Sequence, residues 1–213
     1  MHSTNHEFAI TDVETTGLFP ERSDRVLEIA IIRINHDGAK LKEYTTLINP
    51  MRDVGPTEIH GVRARDLKEA PTFDEIAGDV ASVLAGAVIV AHNAVFDVRF
   101  LNSEFRRASL SIPKLPYVCT MHLAQSISTP PPGRGLECAC DYLGLNKSPD
   151  HSAYTDADAT VSLFNYCLQE IKERGDFSWE RIGLKGAVQS INEWPKVPCS
   201  GKSCRRGTTA RKQ

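Results

Sequence analysis

The hydrophobic and polar positions change rhythm about a third of the way along the chain. Residues 8–13, FAITDV, read as a strand, and RVLEIAIIRI (25–34) and KEYTTLI (42–48) read as two more, rich in β-branched residues. The last two are joined by NHDGAK, whose Asn, Asp and Gly suit a hairpin turn, so an antiparallel meander is predicted. An irregular stretch over 49–71 follows, and then the period becomes helical. Phe73, Ile76, Ala77, Val80, Val83 and Leu84 form an apolar stripe behind the capping box of Thr72 and Glu75, with Gly86 as the stop. AVIVA (87–91) is a continuous apolar run, the pattern of a strand covered on both faces.

A second helix is predicted from about Asp97, with Phe100, Leu101, Phe105 and Ala108 in register, and YVCT (117–120) reads as a fifth strand. Two short helices, MHLAQSI and LECACDYLGL, flank the loop STPPPGRG. A long helix runs from about Thr155 to Ile171, burying Ala157, Val161, Phe164, Leu168 and Ile171. Three early strands followed by alternating helix and strand predict a mixed α/β domain over 1–175. Leu184, Ala187, Val188 and Ile191 predict an appended helix within 176–194. Beyond Trp194 the composition turns to Pro, Gly, Ser, Lys and Arg, so 195–213 is expected to be a disordered tail or linker.

Composition narrows the class. With 41% hydrophobic and 24% charged residues over 213 positions, the chain is an ordinary globular protein with room for a full core. No apolar run approaches the roughly 18 residues of a membrane span. The start, MHSTNHEFAI, lacks the basic and apolar segments of a signal peptide, and six irregularly spaced cysteines suit reduced thiols, so a cytoplasmic protein is expected. The net charge of −2 is unevenly spread. The last 19 residues hold six Lys and Arg and no acid, which leaves 19 basic against 27 acidic side chains in 1–194. A formal −8 on the body gives no broad basic footprint for duplex backbone, but it suits a protein that holds metal ions with its own carboxylates.

The acids sit in telling places. Asp12 and Glu14 are two apart on the first strand and share a face, where two carboxylates repel and lose solvation unless a cation lies between them. If the strand ended early, both would be solvated in a turn before Gly17. AHNAVFD (91–97) closes the buried strand with His92 and Asn93 and puts Asp97 at the start of the next helix. HSAYTDADAT (151–160) puts His151 in a loop and Asp156 in the first turn of the long helix, with Asp158 as its rival. An acid in a first helical turn is favoured by the macrodipole in any case. Four carboxylates from three elements, with no Lys or Arg in their local motifs, make the donor set of hard cations such as Mg²⁺ or Mn²⁺ rather than zinc. A histidine titrates close to neutral pH and is suited to take a proton from water.

DVETTG, HNAVFD and HSAYTDADAT, in that order, resemble the three motifs of the DEDDh branch of the DnaQ-like 3'–5' exonucleases, over roughly residues 7–171. INP (48–50), EIHGV (58–62) and AP (70–71) resemble the polymerase-associated members, including the proofreading exonuclease of bacterial replicative polymerase. The resemblance implies an RNase H-like α/β fold, a five-stranded mixed sheet flanked by helices. It implies metal-dependent removal of nucleoside 5'-monophosphates from the 3' end of single-stranded DNA. Two Mg²⁺ or Mn²⁺ ions would be held by Asp12, Glu14, Asp97 and Asp156, with His151 as general base. Motif spacing, not helix geometry, selects Asp156 over Asp158. Thr15 resembles the position whose backbone meets the terminal nucleotide, and His92 and Asn93 are taken as substrate-binding. A polymerase or another replication or repair protein is the implied partner. Relatives often carry Arg where this chain has Ser152, and many carry Asp where it has Cys119. Two other readings share the fold: an exoribonuclease acting on short RNA, and a non-catalytic module that binds a polymerase or nucleic acid.

Overall fold

The computed structural model describes residues 6–175 and 177–206. Five strands, β1 (Glu7–Thr15), β2 (Val26–Ile34), β3 (Lys40–Leu47), β4 (Ala87–Ala91) and β5 (Tyr117–Cys119), form one sheet in the order β3-β2-β1-β4-β5. The first three are antiparallel neighbours, whereas β4 and β5 run parallel to β1. The helices are α1 (Thr57–His60), α2 (Phe73–Leu84), α3 (Ala94–Arg107), α4 (Thr120–Leu123), α5 (Leu136–Leu143) and α6 (Ala153–Glu173). The result is the expected five-stranded mixed sheet flanked by helices. Among the described residues no helix is long and apolar enough to cross a membrane.

Period-two alternation sends the strands' side chains to two cores. Phe8, Ile10, Ile32, Val88 and Val90 face α6, where Phe8 meets Phe164 edge-on at 4.9 Å. Ala9, Ile29, Ile31 and Ile89 face α2 and α3, where Phe73 and Phe105 stack edge-on at 5.2 Å. The capping box at α2 is present, Glu75 accepting from the Thr72 amide at 2.9 Å. Asp12 and Glu14 continue the Phe8–Ile10 face toward α6.

Two stretches differ from expectation. In place of a helix across 176–194 the chain makes turns, a bridge from Lys185 to Tyr117 at the β5 edge, and a 3-10 turn over Val188–Asn192. Gly183 and Gly186, at φ +74° and +90°, break the helical pattern that the apolar spacing suggested. Trp179 packs toward Phe8 and Trp194 against Phe105, so the segment wraps from one face of the sheet to the other.

The basic tail also differs. Up to Arg206 it lies against the body, while 207–213 and Asp176 fall outside the described residues. Asp79, on α2, accepts from the amides of Ser200 and Gly201 at 2.8 and 2.9 Å and from the Ser200 hydroxyl at 2.6 Å. Cys204 then pairs with the end of β3. Its carbonyl accepts from Leu47 at 2.6 Å and its amide donates to the Thr46 hydroxyl at 2.8 Å. Composition favours disorder, but one buried carboxylate and a free strand end supply the partners that composition does not reveal.

The arm crosses α2 at Gly78, where a Cβ would overlap the Pro198 carbonyl oxygen. Alanine would raise helix propensity by about 1 kcal/mol at such a position, but the overlap costs roughly 1–3 kcal/mol. Gly78→Ala is therefore expected to loosen the arm. Trypsin should cut after Lys196, Lys202 and Arg205 faster than in the wild-type chain, and equal rates would show that the arm is not held there.

Candidate active site

Because β1 and β4 are adjacent and parallel, their C-terminal ends open on the same side of the sheet. β1 brings Asp12 and Glu14 there, with a register irregularity between Glu14 and Thr15. β4 ends at Ala91, and Asn93, in the left-handed region at φ 68°, turns the chain into α3. That turn places Asp97 in the first helical turn, 3% exposed, where its carboxylate interacts with the backbone amides of Val13 and of Asp97 itself. Val13 lies between Asp12 and Glu14, so the third acid reaches over the end of β1.

α6 supplies the fourth. Ser152 caps it, accepting from the Thr155 amide at 3.2 Å, which gives this position a structural role. Asp156 follows within the first turn. The rival Asp158 instead pairs with Lys40 at 2.6 Å on an exposed edge, so the structure separates two residues that helix geometry alone did not.

The electrostatics of the group are those of crowded acids drawn partly out of solvent. Burial pushes the Asp12 carboxyl well above the usual carboxylate range, and Asp97, Asp156, Glu14 and Glu28 add to it. Burial likewise raises Asp97, Glu14 contributing, against the pull of the two amides. Glu14 is pushed up to about 7 by burial and then by Glu28, with Arg206 acting in the opposite sense. Among the described residues no Lys or Arg forms an ion pair with Asp12, Glu14 or Asp97, whereas Asp156 has the buried Lys147 ammonium 3.2 Å from Oδ1. Among the described residues no three His, Cys, Asp or Glu side chains surround a single point as ligands of an ion would. The donor chemistry nevertheless fits a hard divalent cation. It is a set of oxygen donors, Asp97 buried and the other three half-buried, whose mutual repulsion a divalent charge would relieve.

The sign of the pH dependence follows. Between pH 4.5 and about 7 the folded chain keeps a proton on Glu14 that the unfolded chain has released. The stability this group contributes is complete below 4.5 and is lost as pH rises through 7, a loss on the order of 3 kcal/mol. In EDTA, Glu14→Gln should flatten that fall, as read from urea midpoints at pH 5 and 8.

The remaining predicted residues have local partners. His151 is exposed in the loop before α6. His92 bridges the Thr120 hydroxyl at 3.0 Å and the Arg134 carbonyl at 2.7 Å, and burial lowers its pKa. The Thr15 hydroxyl donates to the Gly17 carbonyl at 2.7 Å.

Glu28 was not singled out in the sequence. It lies opposite Glu14 in the β1–β2 register, is 4% exposed, and accepts from the Ala153 amide at the start of α6 at 3.2 Å. The signal was present: a lone acid in the apolar run VLEIAII.

Residues 9–164 match the family model described as exonuclease, RNase_T. The chain is 34% identical over 176 residues to a DNA polymerase III subunit epsilon-like protein of Rhodobacter capsulatus, covering 79% of this chain and 24% of that protein. It is 33% identical over 173 residues to the PolC-type DNA polymerase III of Thermotoga petrophila, covering 80% of this chain and 12% of that protein. The chain thus spans a quarter or less of the length of these two relatives. Its fold matches that of E. coli exonuclease I in complex with a dT13 oligonucleotide, at TM-score 0.69 and 18% identity over 80% of this chain and 43% of that one.

Proposed function

The chain belongs to the exonuclease family, and on that premise we propose that it removes nucleoside 5'-monophosphates one at a time from the 3' end of single-stranded DNA. The observation that carries the reading is Asp12, half-buried and crowded by Glu14, Asp97 and Asp156, with no ion pair to a cation among the described residues. Such a group is costly in a folded chain and becomes favourable when it holds divalent metal. Asp12, Glu14, Asp97 and Asp156 would hold Mg²⁺ or Mn²⁺. A bound pair of such ions supplies an acidified water and charge to offset the leaving oxygen.

The chain's own groups do the rest. His151, exposed at the mouth, takes the proton from the attacking water at its ring nitrogen and passes it to solvent. The bond from phosphorus to the 3' oxygen of the preceding nucleotide breaks, and that oxygen leaves with a proton as the new 3' hydroxyl. The Thr15 backbone, with His92 and Asn93 at the end of β4, meets the terminal nucleotide. A cleft that grips only the last nucleotides needs no basic footprint, which reconciles the acidic body with a nucleic-acid substrate. The DNA polymerase III names of the relatives, and the oligonucleotide held by the structural neighbour, support DNA as the substrate and a polymerase or other replication protein as the partner.

The test is digestion of a 5'-labelled single-stranded DNA with Mg²⁺ or Mn²⁺, beside the same sequence in RNA. A ladder shortening from the 3' end, abolished by EDTA and by Asp97→Ala, is the expected result. A ladder on RNA alone would transfer the activity to short RNA. No cleavage of either by the wild type would leave a non-catalytic binding module.

A further inference from the structure

The basic arm does more than cover β3. After Cys204 it delivers Arg206 to Glu28, which lies opposite Glu14 in the β1–β2 register. The Arg206 guanidinium donates to Glu28 Oε2 from Nε at 2.9 Å and from Nη2 at 2.6 Å. Nη2 also donates to the His60 carbonyl at 2.9 Å, and Nη1 to the His151 carbonyl at 3.2 Å. The same Glu28 oxygen accepts from the Ala153 amide. His151 is therefore held from both sides. Its own carbonyl is tied to Arg206, and the amide two residues on is tied to the carboxylate that Arg206 neutralises.

We propose that Arg206 is a positioning residue of the nuclease site, fixing the His151 loop against the end of β1 through Glu28; this rests on His151 acting as the general base. Three features favour positioning over simple anchoring. The arm is already attached upstream by Asp79, by Lys202 to Glu75 at 2.5 Å and by Cys204 to β3, so its docking does not depend on Arg206. A carboxylate as buried as Glu28 gains little net stability from an ion pair, whose attraction is largely offset by lost solvation. The planar fork of an arginine can serve acceptors on three separate segments in fixed directions, which a lysine cannot do.

Among the described residues the arm hydrogen-bonds to the His151 carbonyl, not to its ring, so Arg206 bears on where the imidazole sits. Residues 148–152 lie outside any helix or strand, and the Thr155 hydroxyl (to the Asp150 carbonyl at 2.5 Å) and the Ser152 cap tie the loop on either side of His151, while among the described residues Arg206 makes the tie at His151 itself. Loss of Arg206 leaves Glu28 buried and unpaired opposite Glu14, and frees the loop at the point where a small misplacement of a catalytic group costs most.

Steady-state digestion of 5'-labelled single-stranded DNA by the full chain tests this, using Arg206→Ala, Arg206→Lys, His151→Ala and the double variant. Arg206→Ala is expected to lower kcat roughly tenfold with KM changed less than threefold. Arg206→Lys should recover only part of the loss. In the His151→Ala background, Arg206→Ala should cost no further activity, because it acts through a group already removed. Circular dichroism and Tm establish folding; if Arg206→Ala does not fold, Arg206→Lys carries the comparison in both backgrounds.

A wild-type kcat in Arg206→Ala, or an equal fold-loss with and without His151, overturns the inference. A slow His151→Ala beside a normal Arg206→Ala overturns it alone and leaves the nuclease reading standing. A wild-type chain inert on DNA and RNA overturns both.

Discussion

Asp12→Asn is expected to lower kcat on single-stranded DNA by roughly 10³-fold or more, the several kcal/mol that bound divalent ions supply to phosphoryl chemistry. The same change should make the metal-free chain more stable. Burial and four neighbouring carboxylates raise the Asp12 carboxyl. A raised acid contributes stability that is complete below its ordinary value and is lost as pH rises through the folded one, so the gain from Asn should be larger at pH 8 than at pH 4. Mn²⁺ should raise the Tm of the wild type at pH 8 and leave that of Asp12→Asn nearly unmoved. The pairing of opposite effects is the diagnostic part, because an acid that merely braced the fold would lose stability and activity together. A variant both less stable and inactive would count against a metal role for Asp12.

His151→Ala is expected to lower kcat by about 10²–10⁴-fold, the usual worth of a positioned general base. In contrast to Asp12→Asn, it should keep the stabilisation by Mn²⁺, since an exposed loop histidine is outside the carboxylate set. KM should change little. Retention of full kcat would leave the attacking water without its proposed base in this chain, and loss of the metal-induced Tm shift would move His151 from base to ligand.

The sequence made most of the sheet legible because its signals are local. AVIVA reads as a strand covered on both faces and is 0–3% exposed throughout. Thr72 and Glu75 mark the start of α2 from three residues' spacing. The acids were legible because β1 opens on an apolar run, so two carboxylates on one face of it demanded an explanation. Lys147 and Arg206 were not legible, since each acts across a distance that no periodicity encodes, and Glu28 showed only as a lone acid in an apolar run. Lys147 reaches Asp156 from a loop, and Arg206 reaches Glu28 from a position 178 residues away.

Gly78 offered a faint clue, as a glycine inside a well-patterned helix implies that something passes close. The chain segment responsible bore the composition of a linker. The two glycines at 183 and 186 outweighed an apolar spacing that otherwise read as helix, a case of backbone geometry overriding side-chain pattern.

The connection between β2 and Arg206 also fixes the order in which the molecule can be completed. Asp12 and Glu14 belong to the first strand to be synthesised, but the residue paired with Glu28 comes 178 positions after it. A contact that spans nearly the whole chain closes a long loop and forms late, after local helices and the meander have already collapsed. During translation the early acids therefore emerge long before Asp156 and Arg206 exist. A chain stopped between α3 and α6 holds three acids without the fourth, and one stopped just after α6 holds all four with the tie from Arg206 to the His151 loop still to form. On that reading the arm adds roughly the last tenfold of activity to a site whose four acids have already been assembled.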